Sequence, residues 1–281
     1  MNSLRLKDLI VIFLFFVVLR ATLTAALPRG PGSYELDLLV QIAVNALLVL
    51  ACVYQFKINA SGLTQIFGNG PGPVAMSGGL FWAVILLMFS LGENSLEVWT
   101  LAKFDNSAAY RIWNFHERPT VHASIISGRV LLYLSVTGIV APIVEEFFFR
   151  GLLLRSLTSR YGLHIAALTS SLAFAAMHFS QNYFLSTFVF SLSLCYIYAL
   201  WRSLWVCCLT HAAFNILAFV HQAYFDIHWT RAPDRLDSLV DWIPEWAFLM
   251  ISLVAFAAFW RIYKRKGGKS TRNLFDSSPT R

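Results

Sequence analysis

Long apolar runs separated by short polar connections dominate the pattern of this chain. A helix that crosses a membrane needs about 20 mostly apolar residues, and it must satisfy its own backbone groups because lipid offers no hydrogen-bond partner. The pattern therefore predicts an all-α, polytopic membrane protein built as a bundle of about eight transmembrane helices. The predicted spans are roughly 8–27, 35–55, 78–95, 130–157, 163–181, 183–201, 203–221 and 243–262.

The composition supports this class of protein. Of 281 residues, 57% are hydrophobic and only 13% are charged, whereas about a quarter of the residues in a soluble domain are charged. We expect residues 1–281 to form a single membrane domain that has no nucleic-acid partner. The first apolar run could be a signal peptide, but Arg20 and further spans follow it, which favours an uncleaved helix.

The basic residues predict how the bundle is oriented. An even number of spans places both termini on one side, where thirteen Lys and Arg residues fall, against seven on the other side. Cytoplasmic connections carry an excess of Lys and Arg, so we expect cytoplasmic termini and a basic cytoplasmic tail at 263–281. We expect the membrane to be that of a bacterial cell.

Two connections and one span have distinctive compositions. Residues 56–77 predict a Gly- and Pro-rich loop, and residues 96–129 predict two short interfacial helices anchored by Trp99 and Trp113.

The span 163–181 repeats small residues every four positions, which allows close helix packing in lipid and predicts a central helix. The four cysteines lie in spans without a C-x-x-C pair, which indicates packing rather than a disulfide or thiolate zinc site.

Three charges interrupt the fourth span in the stretch VEEFFFRG. Glu146 and Arg150 are four residues apart, so they share a helix face and can pair, whereas Glu145 is rotated by about 100° from Glu146. A structural ion pair explains one glutamate and the arginine. It leaves Glu145 unexplained, and we expect that side chain to point into the bundle.

Two further spans carry polar side chains. His178 ends the stretch FAAMH, and His211 and Asn215 lie four residues apart in HAAFN. Taken singly, His178 fits an interfacial histidine, and His211 with Asn215 fits a helix–helix hydrogen bond. Counted from the predicted helix ends, however, Glu145, His178 and His211 lie about 18, 22 and 12 Å into the membrane, which favours one shared site.

Such a set of groups suits hydrolysis. No Ser or Cys occupies a nucleophile motif beside them, so water is the expected nucleophile and Glu145 its base. Asn215 and a histidine are candidates for holding the oxyanion. Alternatively, His178, His211 and Glu145 could bind Zn²⁺, which would activate the water. The residues alone leave both alternatives open.

The three motifs E-E-x-x-x-R, F-x-x-x-H and H-x-x-x-N, in this order within spans, resemble those of the CPBP family of intramembrane proteases. This family includes type II CAAX prenyl endopeptidases and bacteriocin-processing and lysostaphin-resistance-like proteins. The resemblance covers about residues 130–221, the expected catalytic core. It implies an eight-helix bundle with a conical cavity open to the cytoplasmic side, and a peptide bond attacked by glutamate-activated water.

By motif position, the resemblance makes Glu145 the base, with Glu146 and Arg150 in support and His178, His211 and Asn215 completing the site. We favour this glutamic mechanism without a cofactor, because the i, i+4 histidine pair of many zinc sites is absent from the sequence. The expected partners are the lipid bilayer and a lipidated or membrane-anchored protein, cut near its C-terminus.

A competing hypothesis is a transporter or an immunity or binding protein that uses the same buried charges without catalysis. Transporter helices are often interrupted by Gly or Pro near the middle of the membrane, and Gly138 and Pro142 precede Glu145. No internal repeat is visible in the sequence, and the set of three motifs favours the protease.

Overall fold

The computed structural model describes residues 5–28, 33–68, 70–117, 128–178, 184–224 and 236–267. Within these ranges every regular element is helical and no strand occurs, so the predicted all-α class is confirmed. The helices are α1 (Leu6–Ala26), α2 (Ser33–Gln55), α3 (Ala60–Phe67), α4 (Pro73–Ala102), α5 (Asn106–Glu117), α6 (Gly128–Tyr161), α7 (Leu163–Met177), α8 (Phe184–Trp201), α9 (Leu204–Tyr224) and α10 (Ile243–Gly267).

Seven of these helices are long and apolar enough to cross a membrane: α1, α2, α4, α6, α8, α9 and α10. The protein is therefore an integral, multi-pass membrane protein. The predicted fifth span, 163–181, is the exception. It forms α7, a helix of 15 residues with a length of about 22 Å, and residues 179–181 of the prediction lie outside the described ranges.

Helix α7 ends with a tightened turn, in which the backbone N–H of His178 donates to the carbonyl oxygen of Ala175 at 3.0 Å. Because the hydrocarbon core is about 30 Å thick, a helix of this length ends inside the bundle. Its small residues Ala167, Ser171 and Ala175 are buried, as expected of a central helix.

Helix α4 is longer than the predicted span 78–95. It begins at Pro73, directly after Gly72, and continues to Ala102. Its 30 residues extend about 45 Å, so the stretch from residue 96, predicted as a separate interfacial helix, continues α4 instead. The second predicted interfacial helix is present as α5. The loop predicted at 56–77 contains α3, whose N-terminus is capped by the side chain of Asn59.

The spans run antiparallel, so the bundle has two distinct ends. We call the end that holds the starts of α1, α4, α7 and α9 the basic end. The opposite end, which holds residues 103–105 and the start of α6, is the loop end. At the basic end, the guanidinium of Arg155 donates to the carbonyl oxygen of Gln65 at 3.0 Å. At the loop end, Lys103 Nζ donates to the carbonyl oxygen of Asp237 at 2.7 Å.

The closest helix contact involving a glycine of α4 is at Gly92. A Cβ atom at this position would lie 2.6 Å from Leu249 Cβ and 2.8 Å from the carbonyl oxygen of Glu245, both in α10. Because two of the three nearest atoms belong to backbone, neither helix can accommodate a side chain without moving. We predict that Gly92→Ala destabilises the fold by about 1–3 kcal/mol, the usual cost of overpacking.

Thermal unfolding of the detergent-solubilised protein checks this prediction. Gly128→Ala is the matched control, since a Cβ at Gly128 would meet nothing within 4 Å, and its unfolding temperature should equal that of the wild type. An unchanged unfolding temperature for Gly92→Ala would contradict the close contact between α4 and α10.

Candidate active site

Helix α6 carries the acidic motif on a short α-helical segment between two stretches of π-helix. The π segments are Val136–Val140 and Phe147–Leu154, and Ala141–Glu146 lies between them. Pro142 has no backbone N–H to donate to the preceding turn, which accounts for a local loss of α-helical bonding. π segments widen the turn and are frequent at functional sites.

The predicted pairing of Glu146 and Arg150 is present and fully buried. Arg150 Nη1 donates to Glu146 Oε1 at 2.8 Å, and both side chains are 0% exposed. Arg150 Nη2 also donates to the carbonyl oxygen and the hydroxyl of Ser191 in α8, each at 3.0 Å. The guanidinium carbon lies 5.1 Å from the ring centroid of Phe174. Four contacts therefore hold the arginine within the bundle.

His211 connects the two glutamates. Its Nδ1 lies 2.8 Å from Glu146 Oε1, and its Nε2 lies 3.8 Å from Glu145 Oε2. Because an ionised carboxylate only accepts hydrogen bonds, the 2.8 Å contact places the proton on Nδ1. In neutral His211, Nε2 is then an acceptor that points towards a second acceptor, the carboxylate of Glu145.

Glu145 differs from Glu146 in its surroundings. Its side chain is 14% exposed and borders a cavity of about 420 Å³. Glu146 is sealed in the core, and its Oε1 atom is occupied by Arg150 and His211. As predicted from the 100° rotation between them, only one of the adjacent carboxylates is available to a molecule in the cavity.

His178 and Asn215 line the same cavity. His178 Nδ1 lies 2.9 Å from the carbonyl oxygen of Phe174, which can only accept, so this nitrogen carries a proton. The ring stacks on Phe174 with centroids 4.6 Å apart. Asn215 Nδ2 donates to the carbonyl oxygen of Thr137 at 2.7 Å, in the first π segment. Both side chains are thus held by backbone carbonyl groups.

The structure brings all six predicted site residues to one region of the bundle. Glu145, Glu146, Arg150 and His211 form a connected chain of contacts, and Glu145, His178, His211 and Asn215 border the cavity. Their catalytic roles stay predictions. The sequence did not indicate Ser191 or Thr137. Ser191 is one of several serines in α8, and Thr137 contributes only its backbone carbonyl group, so neither belongs to a recognisable motif.

The cavity extends from Glu145 towards the loop end. The residues that line it there belong to the late part of α4, to α5, to the start of α8, to the end of α9 and to the residues around the start of α10: Asn94, Ser95, Val98, Trp113, Ser186, His221, Gln222, Trp242 and Glu245. On the other side of Glu145, every residue from Glu146 to Leu154 is buried. The cavity is therefore closed towards the basic end.

This direction brings two expectations into conflict. The charge bias predicts a cytoplasmic basic end, whereas the resemblance to CPBP proteases implies a cavity open to the cytoplasm. Because the cavity and the basic residues point to opposite ends of the bundle, the two expectations cannot both hold.

The described residues do not fit a zinc site. Among them, no group of three or more His, Cys, Asp or Glu side chains is arranged to hold a metal ion. The set predicted as an alternative, His178, His211 and Glu145, is not arranged as such a group among the described residues, and no step below is routed through a metal.

The fold and this region define a class: a helical membrane protein with carboxylates and imidazoles beside a cavity within its bundle. Comparison with known families narrows the class. Residues 127–217, which contain all six site residues, match the family model described as type II CAAX prenyl endopeptidase Rce1-like. This match confirms the resemblance for that segment and implies a protease. No curated protein and no solved structure matches the chain.

The buried charge network generates a prediction about stability. Arg150→Met removes the cation and leaves the buried Glu146 with only His211 as a partner, and loss of one member of a buried pair costs about 3–5 kcal/mol. We expect a markedly lower unfolding temperature in detergent. Arg261→Met is the control, because Arg261 is exposed on α10, and its unfolding temperature should stay at the wild-type value. Equal stability of Arg150→Met and wild type would show that the pair is not structural.

Proposed function

We propose that this protein is an intramembrane endopeptidase that hydrolyses a peptide bond of a lipidated or membrane-anchored protein, with water activated by Glu145. The observation that carries the proposal is the 3.8 Å separation of Glu145 Oε2 and His211 Nε2 at the cavity. In neutral His211, these are two acceptors close enough to share one donor. A water molecule that donates one hydrogen to each satisfies both.

Water held in this way is ready for a proton transfer. As Glu145 removes one proton, the water oxygen forms a bond to the carbonyl carbon of the substrate, and the carbonyl oxygen becomes an oxyanion. The C–N bond then breaks, and the proton held by Glu145 passes to the departing amine. The products are a carboxylic acid and an amine, so the reaction needs only water as a co-reactant.

Glu146 and Arg150 act as positioning residues in this mechanism. Glu146 accepts a hydrogen bond from the protonated Nδ1 of His211, and this bond keeps Nε2 directed at Glu145. Arg150 holds Glu146 in place and compensates its charge within the bundle. Neither side chain is exposed, and neither can reach a substrate.

Asn215 is the proposed oxyanion donor. One hydrogen of its amide is donated to Thr137, which fixes the plane of the group, and the second can be donated into the cavity. His178 lines the same cavity and adds to the polar surface that the substrate carbonyl meets. Preorganised donors of this kind stabilise the transition state more than the ground state.

The first test is hydrolysis of a fluorogenic, membrane-anchored reporter peptide by detergent-solubilised protein. We expect Glu145→Gln to lower kcat by about 10²–10⁴-fold, the usual contribution of a general base. The matched control is Glu97→Gln, which changes an exposed carboxylate of α4 and should retain wild-type activity. A zinc chelator should leave the wild-type rate unchanged.

Each other outcome has a distinct meaning. Inhibition by the chelator, reversed by Zn²⁺, would favour the metal mechanism. Equal rates for Glu145→Gln and wild type would exclude Glu145 as the base. Folded wild-type protein that cleaves neither a lipidated nor a membrane-spanning reporter would contradict the protease and favour a transporter or binding protein.

A second prediction concerns Asn215. Asn215→Ala should lower kcat by about 10²–10³-fold with a small change in KM, because an oxyanion donor acts mainly in the transition state. Single-turnover and steady-state rates with the same reporter separate the two parameters. A rise in KM at constant kcat would instead assign Asn215 to substrate binding.

A further inference from the structure

We infer that the cavity opens on the extracytoplasmic side of the membrane, and that the substrate is a membrane-anchored segment exposed on that side. The inference rests on the proposed function only for its statement about the substrate. Its statement about orientation depends on the cavity and on the distribution of charge.

The cavity runs from Glu145 towards the loop end. Asn94 near the end of α4, Ser186 at the start of α8 and Gln222 at the end of α9 line it, together with Trp242 and Glu245. All five residues lie towards the loop end. The cavity wall is therefore built from the helix ends that meet the connections of the loop end.

The side of the cavity that faces the basic end is closed. Between Glu145 and the basic end, residues 146–154 of α6 are all buried. Their aromatic side chains pack against rings of other helices. Phe148 and Phe149 contact Phe13 of α1, with ring centroids 5.5 and 5.7 Å away, and Phe147 stacks on Phe67 of α3 at 6.2 Å. This packing separates the site from the basic end, so a peptide cannot enter from there without disrupting the core.

The two ends of the bundle differ in charge. Lys57, Arg155, Arg160 and Arg202 lie at the basic end, and of the Lys and Arg residues that the structure describes, ten lie at this end and three at the loop end. Insertion of helical membrane proteins places connections rich in Lys and Arg in the cytoplasm. With the basic end in the cytoplasm, the open end of the cavity faces outward.

This orientation narrows the substrate class. Prenyl groups are attached to C-terminal cysteines of proteins in the cytoplasm, on the closed side of this bundle. A segment that reaches Glu145 from the loop end must instead belong to a chain whose cleavable part is exported, such as the outer juxtamembrane segment of a single-span or lipid-anchored protein.

Cysteine labelling tests the orientation directly. All four native cysteines are buried, so the wild type provides a low background. Three single variants report on three places: Asn94→Cys in the cavity, Phe104→Cys at the exposed loop end, and Arg160→Cys at the exposed basic end. Spheroplasts expressing each variant are treated with a charged, membrane-impermeant maleimide before and after permeabilisation.

We expect Asn94→Cys and Phe104→Cys to be labelled equally before and after permeabilisation, and Arg160→Cys to gain label several-fold on permeabilisation. The reverse pattern would overturn the inference. It would also be overturned if Asn94→Cys were labelled only after permeabilisation, whatever the result at position 104. Addition of Glu145→Gln to each variant should leave the pattern unchanged, because labelling does not require catalysis.

Reporter cleavage in cells tests the substrate class. Two single-span reporters carry the same cleavable segment, one outside the membrane and one in the cytoplasm, and each is expressed with wild type and with Glu145→Gln. We expect wild type to cleave only the exported segment. Cleavage of only the cytoplasmic segment would overturn the substrate class. If neither reporter is cleaved, the proposed function fails, while the labelling result still decides the orientation.

Discussion

A positive charge without access to water is the constraint on which the rest of the site depends. Arg150 is fully buried, and a charge in an apolar interior is tolerated only when it is paired and hydrogen-bonded. The required partners come from two different helices, Glu146 in α6 and Ser191 in α8. The hydrogen bonds from Arg150 to Ser191 therefore fix α6 relative to α8, and Glu146 also fixes His211 in α9.

The geometry of the candidate site follows from this structural requirement. The carboxylate that neutralises Arg150 is the one that orients His211, and His211 in turn directs its second nitrogen at Glu145. The two adjacent glutamates thus differ in role, because one carboxylate cannot both pair with a buried arginine and face the cavity. Glu146 is held and shielded, whereas Glu145 keeps its access to the cavity. The large cost of burying the charge is offset by contacts that also define the site.

Much of this arrangement could be predicted from local spacing. The i, i+4 rule predicts the pairing of Glu146 with Arg150, the rotation of 100° predicts the different position of Glu145, and apolar length predicts most spans. The pattern did not predict the π segments around Glu145, the extension of α4 to Ala102 or the early end of α7. These features depend on packing between helices, as does the hydrogen bond of Asn215 to a carbonyl group of α6. The direction of the cavity also needs the assembled bundle.

The π segment at Val136–Val140 gives this helix one place at which its length can change with little consequence. A π segment widens a turn of an α-helix, and the widened turn holds one residue more than a regular turn. Deleting a residue there would restore regular winding and leave the direction of the side chains that follow nearly unchanged. Deleting a residue from a regular turn would instead rotate everything that follows by about 100°, and Glu145 would lose its place at the cavity. Both deletions leave nearly the same composition and apolar length, so the position of the deletion alone decides whether the carboxylate still meets the cavity.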